Sequence, residues 1–163
     1  MSGRRDSERG QIAVYAILLF PLLMLVLVLV LAVGTLEDLR TRIGAELDTA
    51  ALTATQALDV QGLAAGQPPR LVPGEADALA REYVARNIAA SGDLVAESPA
   101  SIAAGAQVVV TNGSGVDPLT GVAVTAPTVS IRVEVPARVP LLSLVGIGPV
   151  VTLTVTGSAA ART

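Results

Sequence analysis

The most distinctive feature of the hydrophobic pattern is an uninterrupted apolar run near the N-terminus. Between Ile12 and Val33 no residue is charged, and sixteen of the side chains are Leu, Val, Ile or Phe. As a helix, the run would be roughly 33 Å long, close to the hydrocarbon thickness of a bilayer at about 30 Å. At about −0.3 to −0.6 kcal/mol for each such side chain, insertion is favoured by roughly 5 to 10 kcal/mol. The pattern predicts a transmembrane helix over residues 12–34, with a kink at Pro21.

The charges beside this run predict its orientation. Three arginines lie within residues 1–11, and Arg40 and Arg42 follow the run. The short tail and the positive-inside rule predict that residues 1–11 are cytoplasmic and that residues 35–163 lie outside the cytoplasmic (inner) membrane, a single-pass topology. A cleaved signal peptide, which would leave a secreted soluble domain, is the alternative. It would have a shorter apolar region, about 7–15 residues, and a small-residue cleavage site that residues 34–37 lack.

Beyond the run, the apolar residues continue at helical spacing but on one face only. The opposite face carries acidic and basic residues, among them Asp48. This pattern predicts one helix from about Gln11 to Leu58, with residues 35–66 as its extracytoplasmic continuation. We expect the apolar face, the helix stripe, to be a contact surface for partners or the support for a sheet. It consists of Leu36, Leu39, Ile43, Leu47, Ala51, Ala54 and Leu58.

The pattern of apolar and polar residues from 67 to 163 predicts a small α+β domain. A helical pattern from Glu75 to about Ala90 follows Pro73-Gly74, and its acidic first turn suits the positive end of the helix dipole. After Pro99 the pattern changes to strands, at residues 107–111, 128–135 and 150–157. Because strands with one apolar face need a cover, we expect the helix stripe to pack on them. The predicted fold class is α+β, with a long N-terminal helical spine packed with a second helix and a small, mostly antiparallel sheet.

An uncharged segment, residues 139–150, separates the last two strands. It is rich in Leu, Val and Ile among prolines and glycines. A loop this apolar should be covered. Either it folds over the end of the sheet into the core, or it contacts the bilayer surface or a partner subunit.

Composition excludes several chemistries. The chain has no Cys and no His, which removes the Ser–His and Cys–His nucleophiles and the usual zinc ligands. We predict no catalytic residues, no cofactor and no metal. Asp117, in its Gly-rich loop, offers one carboxylate, which is too few ligands for calcium.

The charge pattern also bears on partners. All eleven basic residues are scattered arginines in a chain of net charge −3, so we expect no nucleic-acid partner. Asn112-Gly113-Ser114 predicts a hairpin turn.

The sequence also resembles a known family. Residues 9–14, then Pro21 in the apolar run, then Val33-Gly34, resemble the start of TadE/TadG-like proteins of tight-adherence (Flp) pilus assembly. Residues 45–54 resemble the segment that follows the anchor in TadG-like proteins, and the later strands and apolar loop are similar to TadE-like members. The resemblance implies a pilin-like spine and a role as a membrane-anchored minor pilin or pseudopilin-like component of this type IV-like pilus assembly (secretion) system, in the bacterial inner membrane. It also implies that the chain's partners are the lipid bilayer and other pilus-assembly or pilin subunits.

The resemblance further implies a candidate prepilin-peptidase site, with cleavage after Gly10 and Gln11 as the new N-terminus. Pilin-like substrates carry Glu at the fifth position after the cut, where this chain has Tyr15, and a phenol has no charge at neutral pH. An uncut, TadG-like anchor therefore fits the sequence better. Asp48 is a second candidate, either a partner contact or a solvated residue. The alternative function is an anchored solute-binding or enzyme accessory domain of the cell envelope.

Overall fold

A computed structural model describes residues 3–161, and side chains from residue 15 onward except those of residues 16 and 145. The first two residues of the predicted tail and the last two of the predicted outer domain therefore lie outside the described residues. Within the described chain, four α-helices and five strands form an α+β fold, which confirms the predicted class. The helices are α1 Gly3–Ala54, α2 Val60–Ala64, α3 Pro73–Ala89 and α4 Pro99–Gly105, and the strands are β1 Gln107–Thr111, β2 Gly115–Val116, β3 Ala123–Val124, β4 Thr128–Arg138 and β5 Val150–Ala160.

Helix α1 is the spine of the molecule. Its 52 residues correspond to about 78 Å. The helix continues past Pro21, and transmembrane helices tolerate an internal proline. It ends at Ala54, four residues before the predicted end at Leu58, although no Pro or Gly intervenes. The hydroxyl of Thr55 donates to the Leu52 carbonyl at 2.7 Å, and Leu58 instead bridges to Leu71 as extended chain. Residues 60–64 form the separate helix α2 within the predicted continuation to residue 66.

The main sheet is antiparallel, with strand order β1-β4-β5. Strand β4 is central, and all eleven of its residues pair with β5, from Thr128 opposite Ala160 to Arg138 opposite Val150. The apolar residues of the predicted alternation, Val129, Ile131, Val133 and Val135, are buried, but Thr128 and Ser130 on the other face are buried as well. The second sheet is the two-stranded β2-β3 hairpin. The turn at residues 112–114 does not join a hairpin of β1 with β2, because β1 pairs with β4 and β2 with β3.

The core lies between the sheet and two helices. Helix α1 packs against α3, β5 and β4, and α3 also contacts α4 and β1. The buried residues of α3 are Ala76, Ala80, Val84 and Ile88, at the predicted helical spacing. Of the helix stripe, Leu39, Ile43, Leu47, Ala51 and Ala54 are buried in this core, and Leu36 and Leu58 pack at its edge. The stripe is therefore the inner face of the domain, as the sheet pattern predicted.

Helix α4 was not predicted, because its seven residues, about two turns, are too few to show a helical period. Its start has local signals nonetheless. The Ser98 hydroxyl accepts from the Ser101 N–H at 3.2 Å, and Pro99 occupies the first turn. Its C-terminal carbonyls, those of Ala103 and Ala104, accept from the Arg81 guanidinium at 3.0 and 2.8 Å.

Candidate functional site

The spine consists of two parts with different surroundings. From residue 17 to residue 31 nearly every large apolar side chain is exposed, whereas from Leu39 onward one face is buried in the domain. By length and composition the helix is able to cross a membrane. An exposed apolar surface of this extent exceeds what monomeric soluble proteins present to water. This part of α1 therefore has the length and the exposed apolar surface of a candidate membrane-spanning helix.

A small separate cluster links the exposed half of the spine to the domain. Residues 140–145 form a 3₁₀ helix that packs on α1. Val139 and Leu142 enclose Ala32, which is only 2% exposed, and Leu36 and Val151 pack around them. We name this group the junction cluster. It places the apolar loop beside the C-terminal end of the predicted membrane span, and it buries only part of that loop.

Higher on the spine, strand β5 lies very close to α1. A Cβ atom at Gly157 would lie 2.6 Å from the Leu47 Cβ and 2.7 Å from the Asp48 backbone nitrogen. Only glycine fits such an approach. Beside it, the Asp48 carboxylate accepts from the Ser158 N–H at 2.9 Å. Asp48 therefore satisfies a backbone donor of the edge strand, an intramolecular role that the sequence did not indicate.

Polar contacts also connect α1 with α3. The guanidinium of Arg42 donates to the Ala90 carbonyl at 2.8 Å and pairs with Glu46 at 3.2 Å. The Asn87 amide donates to the Glu46 carbonyl at 2.9 Å. Because Ala90 is the C-cap of α3, the arginine lies where helix carbonyls lack partners. These bonds fix α3 against the spine.

The far end of the domain contains a buried carboxylate, Asp117, which is 1% exposed. It accepts from the Ser130 hydroxyl at 2.6 Å, from the Leu119 N–H at 3.0 Å and from the Thr120 hydroxyl. Burial raises the pKa of Asp117, but the hydrogen bonds from Ser130, Thr120 and the backbone N–H groups outweigh burial and leave the pKa below its ordinary value. The carboxylate holds the β2-β3 hairpin on β4.

The predicted turn at residue 112 has a structural role. The Asn112 side chain accepts from the Leu71 N–H at 2.8 Å and donates to the Leu71 carbonyl at 3.0 Å. This amide therefore satisfies both backbone hydrogen-bonding groups of Leu71, which lies between α2 and α3. Gly113 follows with a φ of 97°, a turn conformation that favours glycine.

The remaining candidates have different outcomes. Gly10 and Gln11 lie in α1, outside the residues whose side chains are described, so cleavage there stays a prediction. A kink at Pro21 also stays a prediction. Among the side chains that the structure describes, no group of three or more acidic residues is placed to hold a metal ion.

A cleft of about 460 Å³ lies beside α4, on the outer face of the sheet. Glu97, Arg132 and Glu134 are among the residues that line it. The Arg132 guanidinium is directed to the Leu119 carbonyl and, at 3.4 Å, to the Thr156 hydroxyl. The guanidinium is thus bonded to two neutral oxygens of the chain itself.

The fold and the site together define a class of protein, a small α+β domain built on the C-terminal half of a long apolar helix. Residues 10–65 match the family model Tad, which describes Flp pilus-assembly TadE/G-like proteins. This match confirms the resemblance seen in the sequence over about a third of the chain, and it relates this segment to Flp pilus assembly. It extends from the apolar half of α1 to the end of α2. The comparison with curated proteins finds no match, and the comparison with solved structures finds none either.

Proposed function

We propose that the protein is a non-catalytic, single-pass, membrane-anchored component of a Flp (tight-adherence) pilus assembly system. It acts like a minor pilin or pseudopilin, with its N-terminus in the cytoplasm and its domain outside the inner membrane. One observation carries the proposal. Within the Tad-like segment, a single helix has a lipid-length, exposed apolar half and a second half that forms the core of a folded domain.

The structure also bears on which surface meets other subunits. The helix stripe is occupied by the chain's own sheet and α3. Contact through it would require the domain to open. The exposed apolar half of α1, by contrast, is available to neighbouring helices in the membrane, where close packing and not hydrophobicity drives association. We therefore assign helix–helix contact with other pilus subunits to residues 17–31.

Retention of the anchor is supported by the junction cluster. Removal of the helix before Gly34 would take away Ala32 and uncover Val139 and Leu142. A domain cut at that point would expose an apolar surface that the intact chain buries. An uncut chain, or one cut only after Gly10, is consistent with this packing.

Fractionation and labelling of the full chain test the proposal. The chain has no native cysteine, so Val60→Cys, in exposed α2, and Ser7→Cys, in the tail, are each the sole thiol. In intact spheroplasts, a membrane-impermeant maleimide should label Val60→Cys and spare Ser7→Cys until the cells are lysed. The protein should resist alkaline extraction of the membranes. Release into the soluble fraction, or labelling of Ser7→Cys before lysis, would overturn the anchored topology.

Two further measurements test the role in assembly. The intact mass of the membrane-extracted protein distinguishes an uncut chain from one that begins at Gln11. A photo-crosslinking residue at Leu22, exposed on the apolar half of α1, should capture a pilus subunit in cells that assemble pili. The same residue at Leu63, on α2, is the control. Normal pilus formation in cells that lack the protein would contradict the proposed function.

A further inference from the structure

The apolar loop at residues 139–150 is only partly covered by the domain. Val139 and Leu142 are buried against Ala32, whereas Leu144, at 72% exposure, and Ile147, at 50%, project outward. The rest of the chain therefore covers one side of the loop. The outward side needs another cover.

The position of the loop along the spine identifies that cover. The residue that anchors it, Ala32, lies inside the uncharged run that the proposed function places in the bilayer. The first charge after the run is Glu37, five residues and about 7.5 Å further along the helix. A loop that packs at Ala32 is therefore level with the outer boundary of the hydrocarbon, where interfacial elements insert apolar side chains about 5–10 Å deep.

The composition and backbone of the loop suit this depth. None of its twelve residues is charged, while Arg138, immediately before it, is exposed and can remain at the headgroups. Backbone groups in lipid need partners. The Val139 N–H donates to the Pro149 carbonyl at 2.7 Å and closes the loop at its neck, and the Ile147 N–H donates to the Leu142 carbonyl at 3.0 Å. The two prolines have no N–H to satisfy.

We infer that this loop is a second membrane contact: its exposed side chains Leu144 and Ile147 insert into the outer leaflet beside α1. The inference rests on the proposed anchoring of α1. The occupant of this surface is lipid, because the surface is continuous with the apolar half of the spine and lies at the same level. Two attachment points fix the tilt of the domain on the membrane, since a single spanning helix can change its tilt in the bilayer and carries the domain with it.

Depth-dependent quenching in proteoliposomes tests this inference with full-length protein. An environment-sensitive fluorophore is attached to one introduced cysteine at a time, in vesicles of phosphatidylcholine and phosphatidylglycerol with or without lipids brominated near the headgroup. Leu144→Cys is the test position. Val60→Cys is the matched control. Its 71% exposure is close to the 72% of Leu144, and it lies beyond the C-terminal end of α1. Leu27→Cys, in the apolar half of α1, reports on the anchor.

The expected result is a loss of most of the emission at Leu144→Cys and Leu27→Cys with brominated lipid, and no loss at Val60→Cys. Quenching at Leu27→Cys without quenching at Leu144→Cys would overturn the inference and leave the anchor intact. A blue-shifted but unquenched Leu144→Cys would also overturn it, because protein and not lipid would then cover the loop. The absence of quenching at all three positions would refute the anchor and the loop contact together.

Discussion

The contact between α1 and β5 allows a sharp prediction at Gly157. In Gly157→Ala, the added methyl group would lie 2.6 Å from the Leu47 Cβ and 2.8 Å from the Leu47 carbonyl carbon. Carbon atoms pack at about 3.5–4.0 Å, so β5 must move from the helix by roughly 1 Å. The atoms it meets belong to the helix backbone and to a Cβ, and neither can rotate away. The strand and the spine must therefore separate.

The separation has two costs. Overpacking of this kind costs about 1–3 kcal/mol. The bond from the Ser158 N–H to the Asp48 carboxylate, 2.9 Å long, would stretch toward its limit, and a bond to a charged group contributes about 1.5–3 kcal/mol. The lower chain entropy of alanine returns roughly 0.5–1 kcal/mol. We expect Gly157→Ala to lower the free energy of unfolding by about 2–5 kcal/mol, a large part of the stability of a small domain.

The assay is urea unfolding of the full-length protein in detergent micelles, followed by far-ultraviolet circular dichroism. Amide exchange of β5 by mass spectrometry localises the effect. Gly44→Ala is the control, because its methyl group would face Val155 at 3.8 Å, an ordinary contact, in a helix that favours alanine. It should leave stability unchanged or raise it by up to about 1 kcal/mol. If Gly157→Ala unfolded and exchanged its amides like the wild type, the close approach of β5 to α1 would be refuted.

Three further substitutions test the polar contacts of the α+β domain. Because the folded-state pKa of Asp117 lies below the unfolded value of about 3.9, its carboxylate contributes stability above that value and loses it as the pH falls through the folded-state pKa. Asp117→Asn should be less stable than wild type at neutral pH, and its unfolding midpoint should fall less steeply below about pH 4; parallel acid profiles would contradict this. Asn112→Ala leaves the Leu71 N–H and carbonyl without their partner and should cost about 1–3 kcal/mol in urea unfolding, whereas Asn112→Ser, with a shorter side chain, should recover little of the loss. Arg81→Ala should raise amide exchange selectively in α4, because the guanidinium holds its last carbonyls, and unchanged exchange there would contradict the assignment.

The periodic parts of the fold could be predicted from the sequence because burial determines them. Alternation from Val129 to Val135 reflects one buried face of β4, and the spacing of Ala76, Ala80, Val84 and Ile88 reflects one buried face of α3. Both patterns continue over several repeats, so they stand above chance. In the structure, β4 and α3 have the predicted type, and only their ends differ from the prediction.

The other features depend on contacts between residues far apart in the chain. Asp48 is bonded to Ser158, 110 residues away, and Asn112 to Leu71, 41 residues away. Neither partner has a local pattern that indicates the other. The end of α1 at Ala54 is similar, since the competing bridge from Leu58 to Leu71 exists only once the domain has folded. The apolar loop could not be assigned to core or surface because the structure divides it between them.

The two halves of α1 differ in the width of their apolar face, and this difference indicates different surroundings for each half. Residues 12–33 are apolar on every side, which suits a helix surrounded by hydrocarbon, whereas from Leu36 onward only one stripe is apolar, which suits a helix that supports a domain. The helix runs through both parts without a break at Gly34, and the loop that packs on Ala32 joins them a second time. A rotation of the apolar half must therefore turn the α+β domain with it. In the proposed assembly, a contact between neighbouring helices in the bilayer would set the direction in which each domain faces outside it.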